Sequence, residues 1–177
     1  MNAALFDLGV FMFHNGKRLY TSPQDGVLIY IPKIRSYEEA QLWNSIFQYL
    51  EQAFNMPKGV IKATVTIEML SAAFEMEEIV FALNEYVISL TTGRWNYIHS
   101  IIQEYQEEEL LALPSRNNIT IDSSFLSAFT KRVVHIAHKR GTYALGGVSA
   151  YLPRKGNKNA TEYAKKQVIR EKIVEAQ

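Results

Sequence analysis

A carboxylate and an amide side chain follow two neighbouring apolar segments of this 177-residue chain, close to the point where each segment ends. Glu68 comes directly after the run Ile61–Ile67, and Asn96 comes shortly after the run Val87–Thr91. One helix fits between the two runs, so they can be neighbouring strands of a parallel sheet. The carboxyl ends of such strands lie at one edge, where α/β proteins build their active sites.

Carboxylate and amide oxygens are the ligands that Mg²⁺ takes from proteins. Glu68 and Asn96 are therefore candidate metal ligands, the neutral amide being the weaker of the two. Each residue also has a simpler interpretation. Glu68 can be a charge favoured by the dipole of the following helix, and Asn96 can be a helix cap.

The residues Gly93, Arg94, Trp95 and Asn96 form the junction between the second strand and its helix. Free backbone N–H groups at a helix N-terminus suit a small anion such as a carboxylate. These four residues are candidate substrate-binding residues. Arg94 can add positive charge there, or it can be an ordinary solvated arginine.

Other candidates carry less information. Gly146 and Gly147 allow either a bulge or the close approach of a ligand. His135 and His138 lie three apart on one predicted helix with no third metal ligand nearby, which favours ordinary surface positions. The seven lysines and arginines from Arg154 onward can contact RNA or a CoA phosphate, but a solvated helix face explains them as well.

The elements that must position these residues alternate along the chain. A capping box at Ser36 and Glu39 starts one long helix, and Gly141 ends another. Right-handed crossovers then predict a parallel sheet. The predicted strands are Val10–Phe13, Val27–Ile31, Ile61–Ile67, Val87–Thr91 and Tyr143–Val148.

A complete (β/α)₈ barrel needs eight strands and about 250 residues. The fold class is therefore α/β, a partial (β/α)₈ TIM barrel of about five or six βα units, with residues 1–177 as a single domain.

Composition excludes several classes of function. The net charge of +1 predicts no strong general attraction to nucleic acid or to anionic membranes. With no cysteine, thiolate metal sites and thiol nucleophiles are excluded. No apolar run approaches the roughly 20 residues that span a bilayer, and residues 1–9 do not have the pattern of a secretory signal. We therefore expect a cytoplasmic chain without a nucleic-acid or membrane partner.

Several blocks of sequence are similar to one enzyme family. The blocks LFDLGVFMFHN, IKATVTIEMLSAAFEMEEI, TTGRWNYIHSII and HKRGTYALGGVSAYLP, in this order and spacing, resemble malate synthase, specifically its shorter A-type branch. The resemblance runs from about Leu5 to about Glu175. It implies a TIM barrel enzyme that condenses acetyl-CoA with glyoxylate and water to give malate and CoA in the glyoxylate cycle.

The resemblance also implies roles for particular positions. Glu68 matches the glutamate that holds Mg²⁺ in the family, and Trp95 with its neighbours matches the turn that holds the glyoxylate carboxylate. Asn96 stands where the family usually has an aspartate ligand, so weakened Mg²⁺ binding is expected. The family's catalytic arginine and aspartate match no residue of this sequence; neither Arg94 nor Asp122 corresponds to them.

Two hypotheses follow for residues 1–177. In the first, the chain is a malate synthase-like acyltransferase whose activity alone is weak or absent. In the second, it is a non-catalytic fragment or half-barrel interaction module that associates with itself or a complementing chain through open sheet edges. Peroxisomes or glyoxysomes are the alternative compartment if the source is eukaryotic.

Overall fold

The computed structural model describes residues 3–22, 26–149 and 151–175. Within these ranges the chain forms a four-stranded sheet whose spatial order is the order along the chain, with every neighbouring pair parallel. The strands are β1 (Val27–Ile31), β2 (Ile61–Ile67), β3 (Val87–Thr92) and β4 (Tyr143–Leu145).

Helices precede, connect and follow the strands. A π-helix, Met12–Gly16, joins the first two helices, and two short 3₁₀ turns precede the sixth. The helices are α1 (Ala3–Phe11), α2 (Lys17–Tyr20), α3 (Tyr37–Ala53), α4 (Met76–Ala82), α5 (Arg94–Glu104), α6 (Ser124–Lys139) and α7 (Lys158–Glu175). None of these described helices is long and apolar enough to cross a membrane.

Side chains of β2 point alternately to the two faces of the sheet, and those on one face are polar. Ile61, Ala63, Val65 and Ile67 are fully buried in the hydrophobic core. The intervening side chains, Lys62, Thr64 and Thr66 with Glu68 after them, lie on the opposite face, because successive residues of a strand point to opposite sides. The last of these positions carries the candidate carboxylate.

The predicted start of α3 is confirmed. The Ser36 Oγ accepts a hydrogen bond from the Glu39 N–H at 3.4 Å, and the Glu39 carboxylate accepts one from the Arg35 N–H at 2.8 Å. The first bond satisfies a donor that the helix N-terminus leaves free. The second reaches Arg35, one residue before the N–H that a capping box uses. The buried face of α3 includes Ala40 and Phe47, which fixes the helix against the sheet.

The predicted strand Val10–Phe13 is wrong. The segment belongs to α1 and to the π-helix, and Phe13 is 71% exposed. A short apolar run cannot be assigned to strand or helix by periodicity alone, and here the local backbone hydrogen bonds of a helix prevail. The described residues therefore form four strands, fewer than the five counted from the sequence.

Candidate functional site

Glu68 and Asn96 meet at the carboxyl edge of the sheet. The Asn96 Nδ2 donates a hydrogen bond to the Glu68 Oε2 over 2.5 Å, and the other oxygen, Oε1, accepts one from the Lys33 N–H at 2.7 Å. The Glu68 residue is only 4% exposed. Both carboxylate oxygens are thus held by donors from the ends of neighbouring strands, and the predicted proximity of Glu68 and Asn96 is confirmed.

The backbone of Lys33 has an unusual conformation that serves this contact. Its φ is +57°, in the left-handed region that a residue with a Cβ rarely adopts. Lys33 lies two residues after the end of β1, and its N–H donates to Glu68. Residues held in such conformations concentrate at functional sites.

Gly93 makes the close approach of the turn to Glu68 possible. A Cβ at this position would overlap the Cβ and Oε2 of Glu68 and come within 3.0 Å of the Thr66 Cγ2. The φ of Gly93 is −111°, which other residues adopt readily, so the requirement for glycine is one of space. The Gly93 N–H donates to the Ile67 carbonyl at 2.9 Å, which ties the turn to the end of β2.

Arg94 is not the solvated arginine of the simpler interpretation. Its side chain is 9% exposed, and its Nη2 lies 2.6 Å from the Oε1 of Glu171 on α7. The distance defines an ion pair, but the angle of approach does not make a hydrogen bond. Among the described residues, Nε and Nη2 of Arg94 have no hydrogen-bond partner.

Trp95 lies between two guanidinium groups. The guanidinium carbons of Arg94 and Arg116 lie 4.9 and 4.4 Å from the centre of its ring. Such cation–π contacts orient both the ring and the arginine side chains. The surroundings of the Trp95 ring therefore depend on the position of the Arg94 side chain.

One cavity of about 320 Å³ joins these groups. Thr66 and Thr91, paired in the register of β2 and β3, line it together with Glu68 and the turn. The hydroxyl of Thr66 is buried and has no hydrogen-bond partner in the described part of the chain. All four predicted substrate-binding residues, Gly93, Arg94, Trp95 and Asn96, contribute to the lining.

The glycine pair after β4 closes another side of the cavity. The Gly147 N–H donates to the Glu175 Oε1 at 3.0 Å, and a Cβ on Gly146 would approach the Glu175 Oε2 to 2.7 Å. Glu175 lies near the end of α7 and lines the same cavity. The two glycines therefore allow the Glu175 carboxylate to approach the backbone that follows β4.

The candidate ligands for Mg²⁺ carry little negative charge. Among the described residues there is no group of three or more His, Cys, Asp or Glu side chains arranged to hold a metal ion. Glu68 is a single buried carboxylate, and Asn96 presents its Nδ2 to it. A flip of the Asn96 amide would exchange the positions of its nitrogen and its oxygen. Glu68 and Asn96 can then hold Mg²⁺, which commonly takes one or two protein carboxylates and completes its shell with water and substrate.

Sequence reasoning did not identify three contributors: the Lys33 N–H, Glu171 and Glu175. The first is a backbone group, which side-chain patterns do not show. Glu171 and Glu175 lie one helical turn apart on α7, and that spacing was the available signal. His135 and His138 are exposed on α6, in agreement with the favoured interpretation.

Comparison with known proteins identifies the family. The family model for the malate synthase TIM barrel domain matches residues 1–177. This chain belongs to the malate synthase family. The α/β fold and the partial TIM barrel predicted from the sequence are thereby confirmed.

Malate synthase A of Escherichia coli is 39% identical over 98% of this chain and 32% of its own length. Several eukaryotic relatives are glyoxysomal malate synthases. The chain spans about a third of the length of the curated relatives it matches.

Solved malate synthases have the same fold. The Haloferax volcanii pyruvate/acetyl-CoA ternary complex superposes with a TM-score of 0.61 at 13% identity, covering 82% of this chain and 35% of that one. The magnesium/glyoxylate complex of the same enzyme has a TM-score of 0.58 at 14% identity, with 82% and 38% coverage.

Proposed function

We propose that this cavity is the metal-binding and glyoxylate-binding side of a malate synthase active site. The reaction is the condensation of acetyl-CoA with glyoxylate and water to give malate and CoA in the glyoxylate cycle. The observation that carries the proposal is the convergence of Glu68, Asn96 and the Gly93 turn on one cavity. The family supplies the identity of the substrates, and the Haloferax volcanii enzyme has been solved with magnesium and glyoxylate.

The chain's own residues bind and orient the acceptor. The backbone N–H groups at the start of α5 take the glyoxylate carboxylate, because a helix N-terminus offers free donors and a positive dipole. Arg94 adds a buried positive charge beside them. Thr66 and Thr91 supply a polar floor. Together these groups would hold the aldehyde carbon near Glu68.

Glu68 and Asn96 would hold Mg²⁺, the cofactor of the family. When bound, the metal polarises the glyoxylate aldehyde as a Lewis acid. Because Asn96 is neutral and already donates a hydrogen bond to Glu68, binding must break that bond and gains only one negative charge. We propose that Mg²⁺ binding is accordingly weak.

Binding of the acceptor tests this proposal directly. We expect calorimetry to detect glyoxylate binding only when millimolar Mg²⁺ is present. We expect Glu68→Gln to abolish this Mg²⁺-dependent binding. The matched control is Glu85→Gln, which removes an exposed carboxylate paired with Lys58. Glyoxylate binding that is unchanged in Glu68→Gln would contradict the proposal.

Proton transfer in the family depends on two further residues. In the family an aspartate removes a proton from the acetyl methyl group and an arginine stabilises the resulting charge; neither has a match in this sequence. We propose that residues 1–177 assayed alone with acetyl-CoA, glyoxylate and Mg²⁺ release CoA slowly or not at all. Turnover close to that of a complete malate synthase would contradict this.

A second function, a half-barrel interaction module, is favoured by one observation. The edge strands β1 and β4 expose apolar side chains: Leu28 is 68% exposed and Tyr143 75%. Unpaired edges with apolar faces promote self-association or pairing with a complementing chain. Light scattering across a dilution series would detect this, and a monomer at all concentrations would count against self-association. The compartment stays a prediction: the cytoplasm, or the glyoxysome in a eukaryotic source.

A further inference from the structure

Glu171 is a buried carboxylate that the proposed mechanism does not use. It is on α7, and its side chain is 4% exposed. Its Oε1 lies 2.6 Å from the Nη2 of Arg94, in the wall of the cavity. A carboxylate buried to this degree needs a compensating charge. Arg94 provides it.

Arg94 needs Glu171 for two reasons. It is the first residue of α5, where the positive end of the helix dipole disfavours a cation. It is also nine-tenths buried, which costs free energy unless the charge is compensated. Without Glu171, the long arginine side chain would lower its free energy by turning towards water.

We propose that Glu171 is a positioning residue that holds the guanidinium of Arg94 in the cavity wall, so that the arginine stays beside the place of a carboxylate ligand. Nη2 lies in the ion pair with Glu171, whereas Nε is buried without a hydrogen-bond partner within the described chain. Charged donors in that condition are satisfied well by a carboxylate. The inference rests on the proposed function for the identity of that ligand, glyoxylate. α7 thereby completes the binding site through Arg94.

Tryptophan fluorescence gives a readout that needs no ligand. The chain has two tryptophans, Trp43 and Trp95. The variant Trp43→Phe leaves Trp95, whose ring contacts the Arg94 guanidinium at 4.9 Å, as the single emitter. Departure of the guanidinium changes the surroundings of the indole and therefore shifts its emission.

The experiment compares variants of the full 177-residue protein in this background. Glu171→Gln removes the charge while keeping the shape, Arg94→Gln removes the partner, and the double variant removes both. The matched control is Asp122→Asn, which breaks the ion pair of Asp122 with Arg170. That variant removes an exposed charged contact of α7 without touching Arg94.

In this experiment we expect Glu171→Gln to shift the Trp95 emission as Arg94→Gln does and to weaken glyoxylate binding at least tenfold, with Mg²⁺ present. The double variant should be no weaker than either single variant, because both remove one contact. Asp122→Asn should leave emission and affinity unchanged.

Three results would overturn the inference: an unshifted emission in Glu171→Gln, tighter or unchanged glyoxylate binding, or an equal effect of Asp122→Asn. If Glu171→Gln does not fold, Glu171→Asp retains the charge and should retain the wild-type emission; a shifted emission there contradicts the inference. Absence of glyoxylate binding in the wild type overturns the proposed function instead, and the emission still decides the role of Glu171.

Discussion

The Asn96 amide donates a hydrogen bond to the Glu68 carboxylate over 2.5 Å, at the carboxyl edge of the sheet. The pair is internally satisfied without a metal ion. In the metal site that we propose, Glu68 supplies a single negative charge, and its carboxylate is engaged by two donors, Asn96 and Lys33. This contact is the physical reason why replacing the Asn96 amide by a carboxylate should change the metal affinity of the site.

Asn96→Asp should strengthen the proposed metal site. Two carboxylates so close together repel each other, so the variant should be less stable than the wild type in EDTA at neutral pH. Mg²⁺ or Mn²⁺ should remove that deficit and bind at least about tenfold more tightly than to the wild type, because a second charged ligand is gained. Calorimetric titration and melting curves with and without metal measure both effects.

The matched control for that substitution is Asn84→Asp, which adds the same charge at an exposed position after α4. It should leave metal affinity unchanged. If Asn96→Asp binds metal no better than Asn84→Asp, Glu68 and Asn96 do not form a metal site.

Gly93→Ala tests the close approach of the turn to Glu68. The added methyl group overlaps the Glu68 side chain, so either the turn or Glu68 must move. We expect a loss of about 1–3 kcal/mol in the free energy of unfolding, as for other overpacked sites, together with loss of metal binding. Chemical denaturation measures the first effect.

Gly9→Ala is the control, since nothing lies within 4 Å of a Cβ there and the residue is inside α1. Alanine in a helix interior is favoured by roughly 0.5–1 kcal/mol over glycine. Stability should therefore rise or stay constant. Equal losses in the two variants would show that Gly93 has no special steric requirement.

Glu51 has a structural role at the edge of the sheet where β2 and β3 begin. Its carboxylate accepts hydrogen bonds from the Gly59 N–H, the Ile61 N–H and the Tyr86 hydroxyl at 2.9–3.0 Å, and the residue is almost fully buried. Burial, followed by the hydrogen bond to Glu51, raises the pKa of Tyr86 well above its ordinary value. Glu51 thus ties the end of the α3–β2 connection to the start of β3.

Glu51→Gln should lower the free energy of unfolding by about 2–3 kcal/mol. The reason is that the amide nitrogen would face an N–H or O–H donor whose hydrogen bond the carboxylate oxygen accepts in the wild type. Glu85→Gln, which breaks an exposed ion pair with Lys58, should cost no more than about 1 kcal/mol. Urea denaturation of the two variants compares them. A cost for Glu51→Gln as small as that for Glu85→Gln would contradict the role assigned to these hydrogen bonds.

Acidification should loosen the contact between α4 and α6. Hydrogen bonds from Lys139 and Arg140 lower the pKa of Glu77 below its ordinary 4.5. A carboxyl group with a lowered folded-state pKa contributes stability above the unfolded-state pKa, and that contribution is lost as the pH falls through the folded-state value. The stabilisation by Glu77 is therefore complete near neutrality and declines below about pH 4.5.

Melting temperatures between pH 6 and pH 3 test this. Glu77→Gln should be less stable than the wild type at pH 6, and the difference should shrink towards pH 3. The neighbouring Glu78→Gln, at an exposed position, should follow the wild type throughout. A difference between Glu77→Gln and wild type that stays constant with pH would contradict the prediction.

The sequence predicted the central part of the fold because local signals there agree. The β-branched run Ile61–Ile67 is a strand, and Ser36 and Glu39 begin a helix, as expected from residues that interact within a few positions of one another. The prediction failed at Val10–Phe13, where an apolar run has no periodicity to separate helix from strand. It also did not anticipate that Arg94 is buried, since its partner Glu171 is distant in the chain.

The amino-acid order alone determined the alternation of strands and helices, the family, and the placement of Glu68 and Asn96 at the ends of neighbouring strands. The alternation and the placement follow from local hydrogen bonding and the burial of apolar runs, and the family follows from the order and spacing of the matching sequence blocks. Only the tertiary structure decided which atoms meet: the Asn96 amide and the Lys33 N–H at the Glu68 carboxylate, and Glu171 at Arg94. Such contacts depend on strand register and on where a distant helix packs, to within less than an ångström, and no local pattern of residues specifies that.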